Sequence, residues 1–255
     1  IRKALALKPG HVKAHNNLGI VLQELGQLDE AEKSFLHALE LNPDFTEALG
    51  SYGILLTALG RWNEALKCFD RKLELLRGEI PADPNLDSFW FITKDKMKHD
   101  IEQLRYLEDL GLDADQFGEL ARAYTELDRE IDWLDEGKAP VLLTDRQLAP
   151  IRSSYNRPFH LIKDPQVPGP VLNRDLDLKS IMRHYMENGP GATYFDDFLN
   201  PSTLRALRRV LLESTIWYDF TYARGYIGAT LADGFACPLL FQIAEELRRA
   251  FPEIF

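Results

Sequence analysis

Residues 9–41 read PGHVKAHNNLGIVLQELGQLDEAEKSFLHALEL, and residues 43–75 read PDFTEALGSYGILLTALGRWNEALKCFDRKLEL. A shift of 34 residues aligns the two stretches, so that prolines, small residues and large apolar residues fall on one another. The matched pairs include Pro9 with Pro43, Gly19 with Gly53, Leu25-Gly26 with Leu59-Gly60, Ala31 with Ala65, and Phe35 with Phe69. Self-similarity at a fixed period of about 20–50 residues is typical of stacked repeats. This stretch therefore decides the fold class of the N-terminal part of the chain.

The residue types within the repeat predict a helix–turn–helix unit. A small residue such as Gly19 lets two helices approach closely, and Phe35 fills the space between them. Gly26 is expected to end the first helix, because glycine tolerates the left-handed conformation that follows many helices. The pattern resembles the tetratricopeptide repeat (TPR). It predicts a TPR array over residues 1–77, in which Ile1–Lys8 is the tail of a repeat whose first helix is missing and two full repeats follow.

The concave face of such an array is the expected binding surface. TPR arrays present the first helix of each repeat on that face. The residues predicted to point there are Lys13, Asn16, Asn17, Ile20 and Gln23 in the first full repeat, and Ser51 and Ile54 in the second. His15–Gly19 resembles repeats of O-linked N-acetylglucosamine transferases, in which an asparagine ladder binds peptide backbone, but Ser51 replaces asparagine in the next repeat. The positions are therefore either a groove for a protein or peptide, or ordinary solvated positions.

An acidic helical region is predicted for residues 78–139. Between Pro81 and Pro140 there are sixteen Asp or Glu residues and seven Lys or Arg residues. Apolar residues at helical spacing predict two amphipathic helices, Leu86–Leu110 and Ala114–Leu134. We expect the pair to cap the array, because a terminal repeat must shield its apolar face. The negative charge is either a solvated outer face or a surface for a basic partner.

A proline-rich crossover is predicted over residues 140–176. Six prolines occur between Pro140 and Pro170. Proline removes a backbone donor and interrupts helices, so this stretch is expected to be extended chain or loop. It is also the natural boundary between two domains.

Residues 177–255 combine helix signals with a strand pattern. Asn200 before Pro201 predicts a helix start, and the alternation from Ile216 to Tyr222 predicts a β-strand. The residues that carry a family resemblance are the Thr193–Leu199 strand, the Asn200-Pro201 helix start, the Trp217–Gly228 hairpin and the helix end Glu246–Pro252. They resemble the entry to an Fe(II)- and 2-oxoglutarate-dependent oxygenase domain of the prolyl-hydroxylase type, which has a double-stranded β-helix. The predicted fold class is mostly α, a TPR superhelix followed by a partial α+β segment that starts such a domain.

The metal-binding motif of that oxygenase family is absent from the sequence. The motif is His-x-Asp/Glu followed much later by a second His, which leaves open iron positions for 2-oxoglutarate and oxygen. The residues found two positions after the six histidines are Lys13, Asn17, Leu39, Ile101, Ile162 and Met186. The resemblance therefore implies Fe(II) and 2-oxoglutarate for an intact parent protein, and no catalytic residue, metal ligand or cofactor in this chain. We expect the oxygenase part to be truncated after Phe255.

The resemblance also implies the edge of a pocket. Trp217, Tyr222, Arg224 and Tyr226 lie on the predicted hairpin, where they would border a substrate or co-substrate site. Packing of the aromatic side chains inside a sheet is the alternative interpretation.

Composition limits the partners of the chain. A formal charge of −10 argues against binding to DNA or RNA, which requires a basic surface. No apolar run approaches about 18 residues, so we expect no membrane partner. Two cysteines, Cys68 and Cys237, are too few for a disulfide framework and favour a cytoplasmic location.

The functional prediction takes two forms. In the first, the array holds a protein or peptide that a 2-oxoglutarate-dependent dioxygenase parent hydroxylates, while this fragment itself is inactive. In the alternative, the chain is a non-catalytic TPR scaffold or adaptor. The sequence leaves the question of enzymatic activity open between them.

Overall fold

The structure is a computed structural model that describes residues 1–76, 91–133, 139–162, 166–187, 193–218 and 227–254. The elements in chain order are α1 (Arg2–Leu7), α2 (Val12–Glu24), α3 (Leu28–Leu41), α4 (Thr46–Ala58), α5 (Trp62–Leu76), β1 (Phe91–Ile92), α6 (Lys94–Asp109), α7 (Ala114–Glu130), β2 (Val141–Leu142), α8 (Asp145–Leu148), α9 (Leu178–Glu187), α10 (Pro201–Glu213), a 3₁₀ turn (Leu231–Asp233) and α11 (Pro238–Ala250). Two compact units are present, Ile1–Leu161 with Thr215–Ala236, and Ile162–Ser214 with Cys237–Phe255. Each unit is therefore discontinuous in sequence.

The predicted helix–turn–helix repeats form the beginning of the first unit. α2 packs against α3, and α4 packs against α5. A Cβ atom at Gly19 would lie 2.6 Å from the ring of Phe35, and one at Gly53 would lie 2.4 Å from the ring of Phe69. Both distances are too short for a non-bonded contact, because carbon atoms pack at about 3.5–4.0 Å. Glycine is therefore the residue that permits each pair of helices to pack this closely.

Both repeats turn at a glycine in the left-handed conformation. Gly26 and Gly60 each have a φ of +73°. The next amide in each repeat donates back to the helix, from Gln27 to the Leu22 carbonyl and from Arg61 to the Leu56 carbonyl, each at 2.9 Å. This is the hydrogen-bond pattern that satisfies the last carbonyl groups of a helix. The side chains at the centre of the array are fully buried, namely Ala31, Phe35, Ala38, Ala48, Ala65 and Phe69.

The acidic region forms a second helical pair in the same unit. α6 begins at Lys94, later than predicted, because the Thr93 hydroxyl caps it by accepting a hydrogen bond from the Lys96 amide at 3.2 Å. β1 pairs antiparallel with β2, and the Tyr155 hydroxyl donates to the Phe91 carbonyl. The core of this pair contains Ile92, Met97, Ile101, Leu104, Leu107, Phe117, Leu120, Tyr124, Leu127, Leu148, Ile151 and Tyr155. The role of residues 78–139 as a cap for the array stays a prediction.

The second unit is organised around α10 and α11. α10 begins at Pro201, where the Asn200 side chain accepts a hydrogen bond from the Thr203 amide at 2.8 Å. The Glu246 carboxylate on α11 accepts hydrogen bonds from the backbone amides of Val171 and Leu172 at 2.9 and 3.1 Å. An isolated antiparallel bridge joins Leu172 to Leu199. The core of this unit contains Val167, Val171, Leu172, Leu199, Val210, Cys237, Leu239 and Ile243.

The predicted strand at the start of the hairpin is not formed in the part that the structure describes. Residues 216–218 are irregular, and the remainder of the predicted strand, 219–222, lies outside the described residues. Ile216 is fully buried, and Trp217 contacts Phe235 with ring centroids 6.4 Å apart. The described part of the predicted strand is therefore irregular chain whose side chains pack on other parts of the unit. The sheet present in the described ranges is the pair β1–β2, which does not show a double-stranded β-helix.

The helices are too short or too polar to cross a bilayer. None of those in the described ranges combines the length and the apolar character that a membrane span needs.

Candidate functional site

The first helix of the first full repeat presents three of its predicted groove residues to solvent. Lys13, Asn17 and Ile20 are exposed on α2, and Gln23 is half-buried. Residues spaced by three or four positions lie on one face of a helix. These side chains therefore form a continuous face with a cation, an amide and an apolar group along it.

Asn16 lies on the same helix but differs from its neighbours. Its side chain is 5% exposed, and its Oδ1 atom has no hydrogen-bond partner among the described residues. A buried amide oxygen without a partner carries a cost in free energy. In this structure Asn16 lies beneath the exposed face formed by Lys13, Asn17 and Ile20.

The second repeat presents a similar face, with the exposed Glu47 at the position of Lys13. Ile54, which occupies the position of Ile20, is 44% exposed, and Ser51 is half-buried. Thr57 donates its hydroxyl to the Gly53 carbonyl at 2.9 Å, so this donor is used within α4. Single exposed apolar residues are common on protein surfaces. Here an exposed isoleucine recurs at the equivalent position of both repeats.

A segment from the far end of the first unit contacts the second repeat. The 3₁₀ turn Leu231–Asp233 packs against both α4 and α5. A Cβ atom at Gly50 would lie 3.6 Å from the Cβ atom of Ala232. The Lys72 Nζ atom donates to Asp233 Oδ1 at 2.5 Å, and the Lys72 side chain is only 14% exposed. This contact was not predicted from the sequence. The one sequence signal for it is that the second repeat has a glycine, Gly50, where the first repeat has Asn16.

A polar network of Glu32, Tyr52 and Arg61 connects the two repeats. The Tyr52 hydroxyl donates to Glu32 at 2.7 Å, and the Arg61 guanidinium donates to Glu32 at 2.6 Å. The Tyr52 hydrogen bond and then Arg61 hold the pKa of Glu32 below its ordinary value. Burial, together with the Glu32 carboxylate, raises the pKa of Tyr52. Arg61 also binds Glu64 through two hydrogen bonds at 2.8 and 2.7 Å. The network holds α3, α4 and the start of α5 in one arrangement.

Trp217 is the one predicted pocket residue within the described ranges, and Tyr222, Arg224 and Tyr226 lie outside them. Trp217 borders a cavity of about 20 Å³. The other residues around it are Lys96, Asp100, Gln103, Leu104, Tyr124, Ser154, Arg157, Phe159, Thr215 and Tyr218. Small-molecule sites usually have about 300–1,000 Å³, and a volume like this one accommodates roughly one water molecule. The cavity therefore does not fit 2-oxoglutarate.

The histidines do not form the donor set that Fe(II) requires. Within the described residues, no three His, Cys, Asp or Glu side chains lie close enough together to hold a metal ion. The His11 Nδ1 atom accepts a hydrogen bond from the Ala14 amide at 3.3 Å and caps α2. His15 contacts the Pro9 carbonyl at 2.6 Å and packs edge-to-face on His37. The residues present therefore do not fit an oxygenase iron site.

Comparison with known families identifies the class of repeat. Two family models, both described as tetratricopeptide repeat, match residues 12–45 and 48–79. The chain therefore contains TPR repeats in its N-terminal region, a class that mediates protein–protein interaction. Neither match extends into residues 177–255, where the oxygenase resemblance lies. A search of curated proteins found no match.

Proposed function

We propose that the chain binds an extended segment of a partner protein along the face of α2 and α4. The observation that carries the proposal is the recurrence of an exposed isoleucine, Ile20 and Ile54, at equivalent positions of two adjacent repeats. Lys13 and Asn17 lie on the same face and supply a cation and an amide. An apolar side chain of the partner would contact the isoleucines, while its backbone would hydrogen-bond to Asn17. Besides Lys13 the face carries the exposed Glu47, so charged contacts would add to apolar contact and backbone recognition.

Selection from a displayed library of linear peptides on the full chain tests this proposal. We expect the selected peptides to lose affinity by about tenfold or more when Lys13 and Asn17 are both changed to alanine, because one direct hydrogen bond to a charged group and one to an amide are removed. Isothermal titration calorimetry measures the affinity. Ile20→Ser with Ile54→Ser is expected to cause a similar loss.

The matched control changes exposed residues on the second helix of the same repeat. Glu30→Ala with Lys33→Ala removes two charged side chains from α3. We expect the peptide affinity to change by less than about twofold in this variant. Equal losses in the α2 and α3 variants would contradict the groove assignment.

A dioxygenase parent is a second proposal, and it rests on the residue pattern alone. The pattern consists of Thr193–Leu199, the Asn200-Pro201 helix start, the Trp217–Gly228 hairpin and the helix end Glu246–Pro252. For this chain itself we propose no iron chemistry, since its described histidines do not fit a metal triad. Titration with Fe(II) and 2-oxoglutarate is expected to give no one-to-one binding. Tight stoichiometric binding would refute this expectation, whereas peptide binding without it would favour the scaffold or adaptor. A cytoplasmic location stays part of the proposal.

A further inference from the structure

The 3₁₀ turn Leu231–Asp233 packs on the second repeat at the position where α4 packs on the first repeat. α4 packs against both α2 and α3, and the turn packs against both α4 and α5. Asn16 and Gly50 occupy equivalent positions, and both are buried. The turn therefore takes the place that the first helix of a further repeat would take. It closes the end of the face formed by α2 and α4 with a segment of the same chain.

The contacts of the turn are those of a bound acidic peptide. Its small side chain, Ala232, packs over Gly50, and a Cβ atom at Gly50 would lie in van der Waals contact with it at 3.6 Å. The Asp233 carboxylate accepts from Lys72 at 2.5 Å through one oxygen, and from the Thr230 hydroxyl at 2.6 Å through the other. The recognition elements are thus one small residue followed by one carboxylate.

The turn itself buries one small apolar side chain, whereas Gly234 and Ala236 directly after it are buried in the unit. Ala232 is 7% exposed, whereas Leu231 is only half-buried and Asp233 remains 31% exposed. The Tyr218 hydroxyl adds one hydrogen bond to the Asp233 carbonyl at 3.0 Å. An incoming segment with the same two recognition elements has the chemistry to replace the turn on Gly50 and Lys72.

We infer that Leu231–Asp233 is an internal ligand of the repeat array, which a partner segment displaces by placing a small side chain on Gly50 and an Asp or Glu carboxylate on Lys72. This inference rests on the proposed function, because it adds a partner class and a regulatory contact at the α4 end of the face formed by α2 and α4. An internal ligand competes at an effective concentration in the millimolar range, so it weakens every partner that must replace it.

A reversible disulfide tests the inference directly. A Cβ atom at position 50 would lie 3.6 Å from the Cβ atom of Ala232, within the range for a disulfide of about 3.5–4.5 Å. The variant Gly50→Cys with Ala232→Cys, in a background with Cys68→Ala and Cys237→Ala, locks the turn when oxidised, and reduction makes the turn displaceable again. The probe is a fluorescein-labelled peptide with the sequence of residues 227–236, IGATLADGFA. Fluorescence anisotropy measures its binding to the full chain in both states.

We expect the reduced protein to bind the probe at least about tenfold more tightly than the oxidised protein. A matched probe with asparagine at the position of Asp233 is expected to bind the reduced protein about tenfold more weakly, because the charge-assisted hydrogen bond to Lys72 is lost. Equal binding in the oxidised and reduced states would overturn the inference. Equal binding of the two probes would overturn the requirement for a carboxylate.

A second variant keeps the inference testable if the disulfide does not form. Asp233→Lys places two cations together and is expected to release the turn, so the chain should bind the probe at least about tenfold more tightly than the unaltered chain. Adding Lys72→Met to this variant should remove the binding. Circular dichroism at 222 nm checks that each variant retains its helices.

The outcomes separate this inference from the proposed function. A library peptide that depends on Lys13 and Asn17 but binds the oxidised and reduced protein equally would leave the groove intact and refute the internal ligand. A library peptide that is insensitive to both the groove variants and the disulfide would refute both proposals.

Discussion

The two full repeats have the same interior but different neighbours. In each, a glycine on the first helix meets a phenylalanine ring on the second, Gly19 with Phe35 and Gly53 with Phe69. The first repeat is covered by α4, whereas the second is covered by a short turn from a distant part of the sequence. The 34-residue pattern therefore determines the helical pair. The residues on its outer face differ with the element that packs on them.

The largest expected effect tests whether the two interiors are equivalent. We expect Gly19→Ala and Gly53→Ala each to lower the free energy of unfolding by about 2–3 kcal/mol, because the new methyl group overlaps a phenylalanine ring. Urea denaturation followed by circular dichroism measures both changes. Gly10→Ala is the control, since no atom lies within 4 Å of the added group, and its effect should stay below about 0.5 kcal/mol. A harmless Gly53→Ala would show that the second repeat packs differently from the first.

A smaller effect concerns the neighbour of the second repeat. In a double-mutant cycle with Lys72→Met and Asp233→Asn, we expect a coupling free energy of about 1–2 kcal/mol, because the Lys72 side chain is only 14% exposed. The exposed pair Arg71–Asp44 is the control, with side chains 48% and 56% exposed. Its coupling should be below about 0.5 kcal/mol. Equal couplings for the two pairs would show that the turn contributes no more than a surface contact.

The smallest effect is the pH dependence of the network between the repeats. In the folded protein the pKa of Glu32 lies below the ordinary 4.5, so folding favours the carboxylate. Its contribution to stability is therefore present above about pH 4.5 and is lost as the pH falls through the folded pKa. We expect Tyr52→Phe to cost up to about 1 kcal/mol at pH 7 and less in acid. Urea denaturation at several pH values measures the difference, and a constant cost across them would contradict a bond to the charged form.

The repeat array could be predicted from the sequence because its signal is local and occurs twice. The Pro, Gly, Ala and Phe positions recur in one register, so each copy supports the other. The start of α10 could also be predicted from the sequence, because Asn200 and Pro201 start a helix through contacts within three residues. The predicted strand from Ile216 was wrong over its described residues, since residues 216–218 are irregular and pack on other parts of the unit.

The exposed positions on α2 and α4 were predictable in part, and the contact of the turn with the second repeat was not. Lys13, Asn17, Ile20 and Ile54 follow from repeat position and helical spacing, whereas the burial of Asn16 depends on the neighbouring repeat. The contact of Lys72 with Asp233 links residues 161 positions apart, and no periodicity connects them.

That separation also has a consequence for protein synthesis. The second repeat emerges from the ribosome well before Asp233 does, because translation proceeds at about 5–20 residues per second. A gap of 161 residues corresponds to a delay of roughly 8–30 seconds. During this interval Gly50 and Lys72 are uncovered on the nascent chain. The outer face of the second repeat is therefore open to chaperones, or to an early partner, before the chain can cover it.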